Sequence, residues 1–229
     1  MNRTICYLLS FALIFAYAAF TANDARGQAK AVTDRERGAF ASTSLQGYVK
    51  DVLTEKNVGR YGFSTVGEAS AATLGDPLRV HSIELKELKA YRPGAGLRSM
   101  QADTRTTWYP VIAGNEVRAK LEIVETAGKL LAGGFGAASE ARRISSARQQ
   151  IPEKLRARGI PAASAMALVK IPALKATFLY VESPGGSFLV PAMASPHRFG
   201  VENGDLYPAD DLLSRIKEQV KDLPDDLVG

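Results

Sequence analysis

The stretch RTTWYPVIAGNEVRAKLEIVE, from Arg105 to Glu125, carries the strongest structural signal in the chain. In its second half Val117, Ala119, Leu121 and Ile123 alternate with Arg118, Lys120 and Glu122. Successive strand side chains point to opposite faces. This alternation therefore predicts an antiparallel strand with one apolar and one wet face. Gly114-Asn115 separates it from Arg105–Ile112, and that dipeptide is hairpin turn chemistry. Pro110 has no amide donor, which places its strand at a sheet edge or beside a bulge. Lys129 to Phe135 extends the meander after Ala127-Gly128, with Gly133, Gly134 and Gly136 weakening it.

Toward the C-terminus, residues 138 to 158 read as helix, with Ile144, Ile151 and Leu155 near one stripe. Pro152 kinks this helix or starts a second one, and Gly159 and Pro161 end it. Thr177–Glu182 and Ser187–Val190 form a second hairpin around Ser183-Pro184-Gly185-Gly186. Pro208, Asp210 and Asp211 suit a helix start, followed by a stripe of Leu212, Leu213, Ile216, Val220 and Leu223. Toward the N-terminus, Val80 to Leu85 is a strand whose apolar phase slips at His81-Ser82, as a bulge would cause. Leu85, Leu88 and Tyr91 suggest a helical turn, and Arg92 to Asp103 a loop. A short helix spans Val66 to Leu74. Thr43 and Gln46 fit a capping box, opening a helix with Leu45, Tyr48, Val49, Val52 and Leu53 on one stripe. Residues 28–41 are polar and unpatterned, and read as a flexible leader.

The expectation is an α+β fold, with an antiparallel β-meander and hairpins packed against N-terminal, central and C-terminal helices. Residues 42–229 form one domain, with a sub-boundary near 136–160. No strand–helix–strand rhythm with a glycine-rich phosphate loop is present, which argues against a doubly wound nucleotide fold.

The head of the chain has its own chemistry. Arg3 precedes an apolar run from Ile5 to Phe20 broken only by Ser10, and small residues follow at Ala16, Ala18, Ala25 and Gly27. Residues 1–27 thus resemble a cleaved signal peptide, and the run is shorter than the roughly 20 residues of a spanning helix. The expected location is secreted or periplasmic. Cys6, the single cysteine, would leave with the signal, so the mature chain would have no disulfide or thiol nucleophile. The 229 residues are 46% hydrophobic and 23% charged, which excludes disordered and collagen-like classes. The formal charge of +5 falls to +4 once Arg3, Arg26 and Asp24 are removed, too mild to point to nucleic acid.

The run Trp108-Tyr109-Pro110-Val111-Ile112-Ala113-Gly114-Asn115-Glu116-Val117 is similar to small exported bacterial modules of the PepSY-like and cystatin-like kind, over about residues 78–135. The resemblance implies a strand, tight turn, second strand and packed helix, with binding, inhibition or chaperoning in place of chemistry. It transfers no functional residue.

Catalytic sets are hard to assemble. His81 and His197 are the only histidines, and His81 with Glu84 is a common spacing that a strand would not aim at one ion. Gly62–Gly67 only approaches a nucleophile elbow. Ser214 and Lys217 match Ser-x-x-Lys without its companion motifs. Asp210-Asp211 and Asp225-Asp226 read as helix-end and tail charge. No catalytic residue, metal site or cofactor is assigned. Binding candidates are the basic residues Arg142, Arg143, Arg148, Lys154, Arg156 and Arg158, opposed locally only by Glu140 and Glu153, together with Trp108 and Tyr109. The leading expectation is an exported, non-catalytic binding or accessory protein. Its partner would be another extracytoplasmic protein, met through the basic helix or through the proline-bearing strands Arg105–Ile112 and Ser187–Pro191 as exposed edges. The alternatives are a hydrolase centred on Ser64, Ser214 or an acid pair, and an envelope protein touching anionic surfaces.

Overall fold

The computed structural model describes residues 32–224, so the expected signal peptide and Asp225-Asp226 lie outside the described residues. Among the described residues six α-helices and nine strands give an α+β fold: α1 (Asp34–Asp51), α2 (Val66–Ser70), β1 (Thr73–Leu74), β2 (Leu78–Ser82), α3 (Leu85–Ala90), β3 (Ala102–Ala113), β4 (Glu116–Thr126), β5 (Lys129–Gly136), α4 (Ala138–Ala157), β6 (Ala165–Ile171), β7 (Ala176–Ser183), β8 (Gly186–Met193), α5 (Pro196–Phe199), β9 (Tyr207–Pro208) and α6 (Ala209–Val220). The strands form one sheet in the order β5-β4-β3-β2-β6-β7-β8-β9, with β1 also paired to β3. Two antiparallel meanders, β3-β4-β5 and β6-β7-β8, meet across β2, which runs parallel to β6.

The register assigns the faces. Leu78, Val80, Trp108, Leu168, Leu179, Val181 and Val190 pack against α4 through Ile144, Ile151 and Leu155. On the opposite face, Tyr109, Val111, Leu121 and Ile123 meet α1 over the first meander. Val169, Ile171, Phe178 and Leu189 meet α3, α5 and α6 over the second. The sheet is therefore buried on both faces, as its long apolar runs require.

Several local readings shift. The first helix starts at Thr33, whose Oγ1 accepts the Glu36 amide while the Glu36 carboxylate accepts the Thr33 amide. Thr43 lies inside the helix with its hydroxyl on the Ala39 carbonyl, so residues 34–41 of the expected leader are helical. Arg37, within that stretch, is 2% exposed and reaches Asp34 at 2.7 Å and Glu125 at 2.9 Å. The first proline-bearing strand is not an edge, and the second is covered on its outer side only at Phe188 and Leu189. β3 lies between β4 and β1/β2, and β8 between β7 and β9. Pro110 is tolerated inside the sheet because its neighbour breaks there. β1 ends at Leu74, β2 begins at Leu78, and a register shift follows at Val111/Ile112. The slip at His81 is a true irregularity, between Val80 and His81. Pro152 neither ends α4 nor starts a second helix, since α4 runs through it to Ala157.

Candidate functional site

α4 bears five of the eight candidate residues and Arg158 caps its C-terminus, and the fold divides these six. Arg148 donates to the Asp76 carbonyl at 2.7 Å, Lys154 pairs with Asp205 at 2.7 Å, and Arg158 donates to the Leu206 carbonyl at 2.5 Å. These three fasten α4 to its neighbours. Arg142, Arg143 and Arg156 are exposed and meet no hydrogen-bond or ion-pair partner among the described residues. Arg142 and Arg143 stand at an open groove of about 440 Å³ between α4 and the end of β8, with Ser146, Gln150 and Asn203 as further polar lining. Arg156 borders a more apolar groove of about 350 Å³ formed with Pro152, Leu155, Ile160 and Met166. Helical rise separates Arg142 from Arg156 by about 21 Å along the axis. The cations thus address two places and do not form one patch.

Trp108 and Tyr109 are not surface anchors. Trp108 is 0% exposed beneath α4, and Tyr109 is 4% exposed beneath α1. Burial pushes the Tyr109 phenol above its ordinary value, while Arg37 and Arg79 act in the opposite direction.

The serine and acid candidates are occupied in structural work. The Ser64 amide donates to Glu68, and Thr65 caps α2. Lys217 donates to the Tyr91 carbonyl at 2.7 Å, which takes it away from Ser-x-x-Lys chemistry. Asp210 accepts from the Tyr91 hydroxyl and from the Gly94 amide, tying the loop after α3 to the start of α6. Burial, then that bond to Asp210, pushes the Tyr91 phenol up. Among the described residues no three His, Cys, Asp or Glu converge in a way that could hold a metal ion.

A cleft that no sequence motif marks lies on the other face of the sheet. α1 covers the first meander and α3 with α6 cover the second. At the junction of the two meanders Ala165 and Ala167 of β6, whose side chains are small, line this cleft. The cleft holds about 410 Å³ and is lined by Arg79, His81, Arg98, Gln101, Asp103, Tyr180 and Glu182. His81 sits opposite Asp103 in the β2–β3 register. Burial pulls the imidazole below its ordinary value; Asp103 opposes this, and Arg79 and Arg98 reinforce it. The sequence signal was the phase slip at His81, which marks a bulge, and bulges re-aim side chains next to sites.

No protein family, curated protein or solved structure matches the chain. No helix among the described residues is long and apolar enough to cross a membrane.

Proposed function

We propose that the mature chain is an exported, non-catalytic accessory protein that docks an acidic segment of another extracytoplasmic protein against the N-terminal half of α4. The observation that carries this reading is the pair Arg142 and Arg143. They stand exposed at a groove with Ser146, Gln150 and Asn203 and have no internal partners among the described residues, while Arg148 and Lys154 on the same helix and Arg158 at its C-cap are engaged by the fold. An exposed guanidinium pair beside hydroxyl and amide groups suits carboxylates, which arginine binds in a two-pronged geometry. The signal-like head supplies the export, and the likeness of residues 78–135 to PepSY-like and cystatin-like modules points toward binding.

The test is fluorescence anisotropy with a labelled hexaglutamate peptide at low and near-physiological salt. Saturable binding is expected that weakens with salt and drops by about tenfold or more in Arg142→Ala/Arg143→Ala, a loss of about 1.4 kcal/mol. The charge-matched control Lys50→Ala/Lys86→Ala is expected to bind as the parent does. Equal loss in the control would overturn the reading. So would binding to phosphatidylglycerol vesicles without binding to the peptide, which is the behaviour of an envelope surface protein.

A further inference from the structure

The cleft over β2, β3, β6 and β7 lies on the face of the sheet opposite α4 and is independent of the groove at Arg142. Its volume of about 410 Å³ falls within the range of small-ligand sites, about 300–1,000 Å³. Its charges are balanced but unevenly satisfied. Arg79 reaches Asp34 through Nη2 at 3.0 Å, and Arg98 pairs with Glu182 through Nη2. No second acid meets either guanidinium among the described residues. Asp103 is the lining acid without a cationic partner among the described residues, and its Oδ1 accepts only the Arg105 amide, at 2.8 Å. Gln101 contributes the complementary deficit, a buried Nε2 with no acceptor. A buried donor left unmade costs about 1–3 kcal/mol, and a ligand oxygen would recover it.

Groups of opposite polarity thus line one small cleft. Asp103 offers a solvent-exposed carboxylate with no cation on it among the described residues, while Gln101 offers a buried donor beside the exposed N–H groups of Arg79 and Arg98. A simple anion would meet Asp103, and a simple cation would meet Arg79 and Arg98. We propose that this cleft binds a small zwitterion of the α-amino-acid class, its ammonium on Asp103 and its carboxylate on Gln101 and the two arginines. The small side chains of Ala165 and Ala167 leave room for the ligand's side chain beside the largely buried ring of Tyr180. A half-buried neutral imidazole at His81 can donate from one nitrogen and accept at the other, so it serves either pole.

His81 is also the reporter. The chain has two histidines, so His197→Gln leaves His81 as the single imidazole in the NMR spectrum. The twenty common L-amino acids are titrated in four pools, with acetate and methylammonium as single-pole probes. At least one pool is expected to move the His81 resonances saturably, and neither single-pole probe is expected to match it. Asp103→Asn and Gln101→Ala, which remove opposite poles, are each expected to weaken that binding by about tenfold. Retention of a dispersed spectrum in both variants shows that the fold is intact. The proposal is overturned if no pool shifts His81, if acetate alone reproduces the effect, or if both variants bind as the parent does. The hexaglutamate assay reads the opposite face of the sheet, so either reading can fail without the other.

Discussion

The indole of Trp108 has no accessible surface and packs with Leu78, Leu168 and Ile144, yet its Nε1 has no acceptor among the described residues. Its contribution is therefore contact area, with no hydrogen bond to lose. Truncating a fully buried tryptophan opens a large cavity and costs about 3–5 kcal/mol. Trp108→Ala is expected to lower the urea midpoint by a corresponding amount, while Trp108→Phe, which removes the orphaned donor along with some volume, is expected to cost clearly less. A Trp108→Ala variant of parental stability that bound its partner poorly would restore the anchor reading. Gly62 is a second residue fixed by its surroundings. It ends a short helical turn with φ near +96°, and a Cβ there would stand 2.1 Å from the Arg118 carbonyl oxygen. Glycine is the residue that combines that backbone angle with so close an approach.

At the scale of elements, α4 holds Pro152 in its interior. The ring removes the amide that would bond the Arg148 carbonyl and crowds that turn, a cost of about 3 kcal/mol in a helix interior. Part of this is offset because proline also restricts the unfolded chain. Pro152→Ala is accordingly expected to raise stability by about 1–2 kcal/mol, read as a higher urea midpoint at unchanged slope. A lowered midpoint would mean that ring contacts in the groove with Leu155, Ile160 and Met166 outweigh the helical gain.

The elements also show what the amino-acid pattern could reveal. The β3–β4 hairpin, the β7–β8 hairpin and α6 were legible because their signals are local: alternation, turn dipeptides, and a stripe that buries Leu212, Leu213, Ile216 and Val220. β6 was not legible. Leu168 faces α4 while Val169 and Ile171 face the α3–α6 layer, so AMALVKI has apolar residues on both sides and no alternation. The start of α1 was missed because its buried side chains are only Arg37, Ala41 and Leu45, too thin and too polar a stripe. The basic character of α4 was visible. Which cations the fold would consume was not, since their partners Asp76 and Asp205 lie far away in sequence. At the His81 cleft the sequence showed only the phase slip, and not the cleft itself, which is assembled from β2, β3, β6, β7 and the segment before β3.

At the scale of the whole molecule, a charged cluster beneath the N-terminal turn of α4 ties the two meanders together. Lys120 and Glu122 come from β4, Lys170 from β6 and Glu140 from α4. The contacts are 3.0 Å for Lys120–Glu122, 2.7 Å for Lys120–Glu140 and 3.2 Å for Lys170–Glu122. Burial alone would raise the Glu122 carboxyl, but Lys170 and Lys120 together hold it below its ordinary 4.5. Burial alone would lower Lys120, but Glu140 and Glu122 hold it above 10.5. The linkage has opposite sign for the two groups. The stabilisation owed to Glu122 is full above its unfolded value and is lost as pH falls through the depressed folded one. That owed to Lys120 is full below its unfolded value and is lost as pH rises through the elevated folded one. Removing one member of a buried pair costs about 3–5 kcal/mol. These side chains keep 12–30% of their exposure, and Glu140 remains to compensate, so Glu122→Gln is expected to cost about 1–3 kcal/mol near neutral pH. Urea midpoints followed from about pH 6 to about pH 3 are expected to fall more steeply for the parent than for Glu122→Gln, because the variant has no carboxylate there to protonate. Parallel curves would show that the cluster does not couple proton uptake to the joining of the two meanders, and would leave the β2–β6 pairing and the packing of α4 as what holds them.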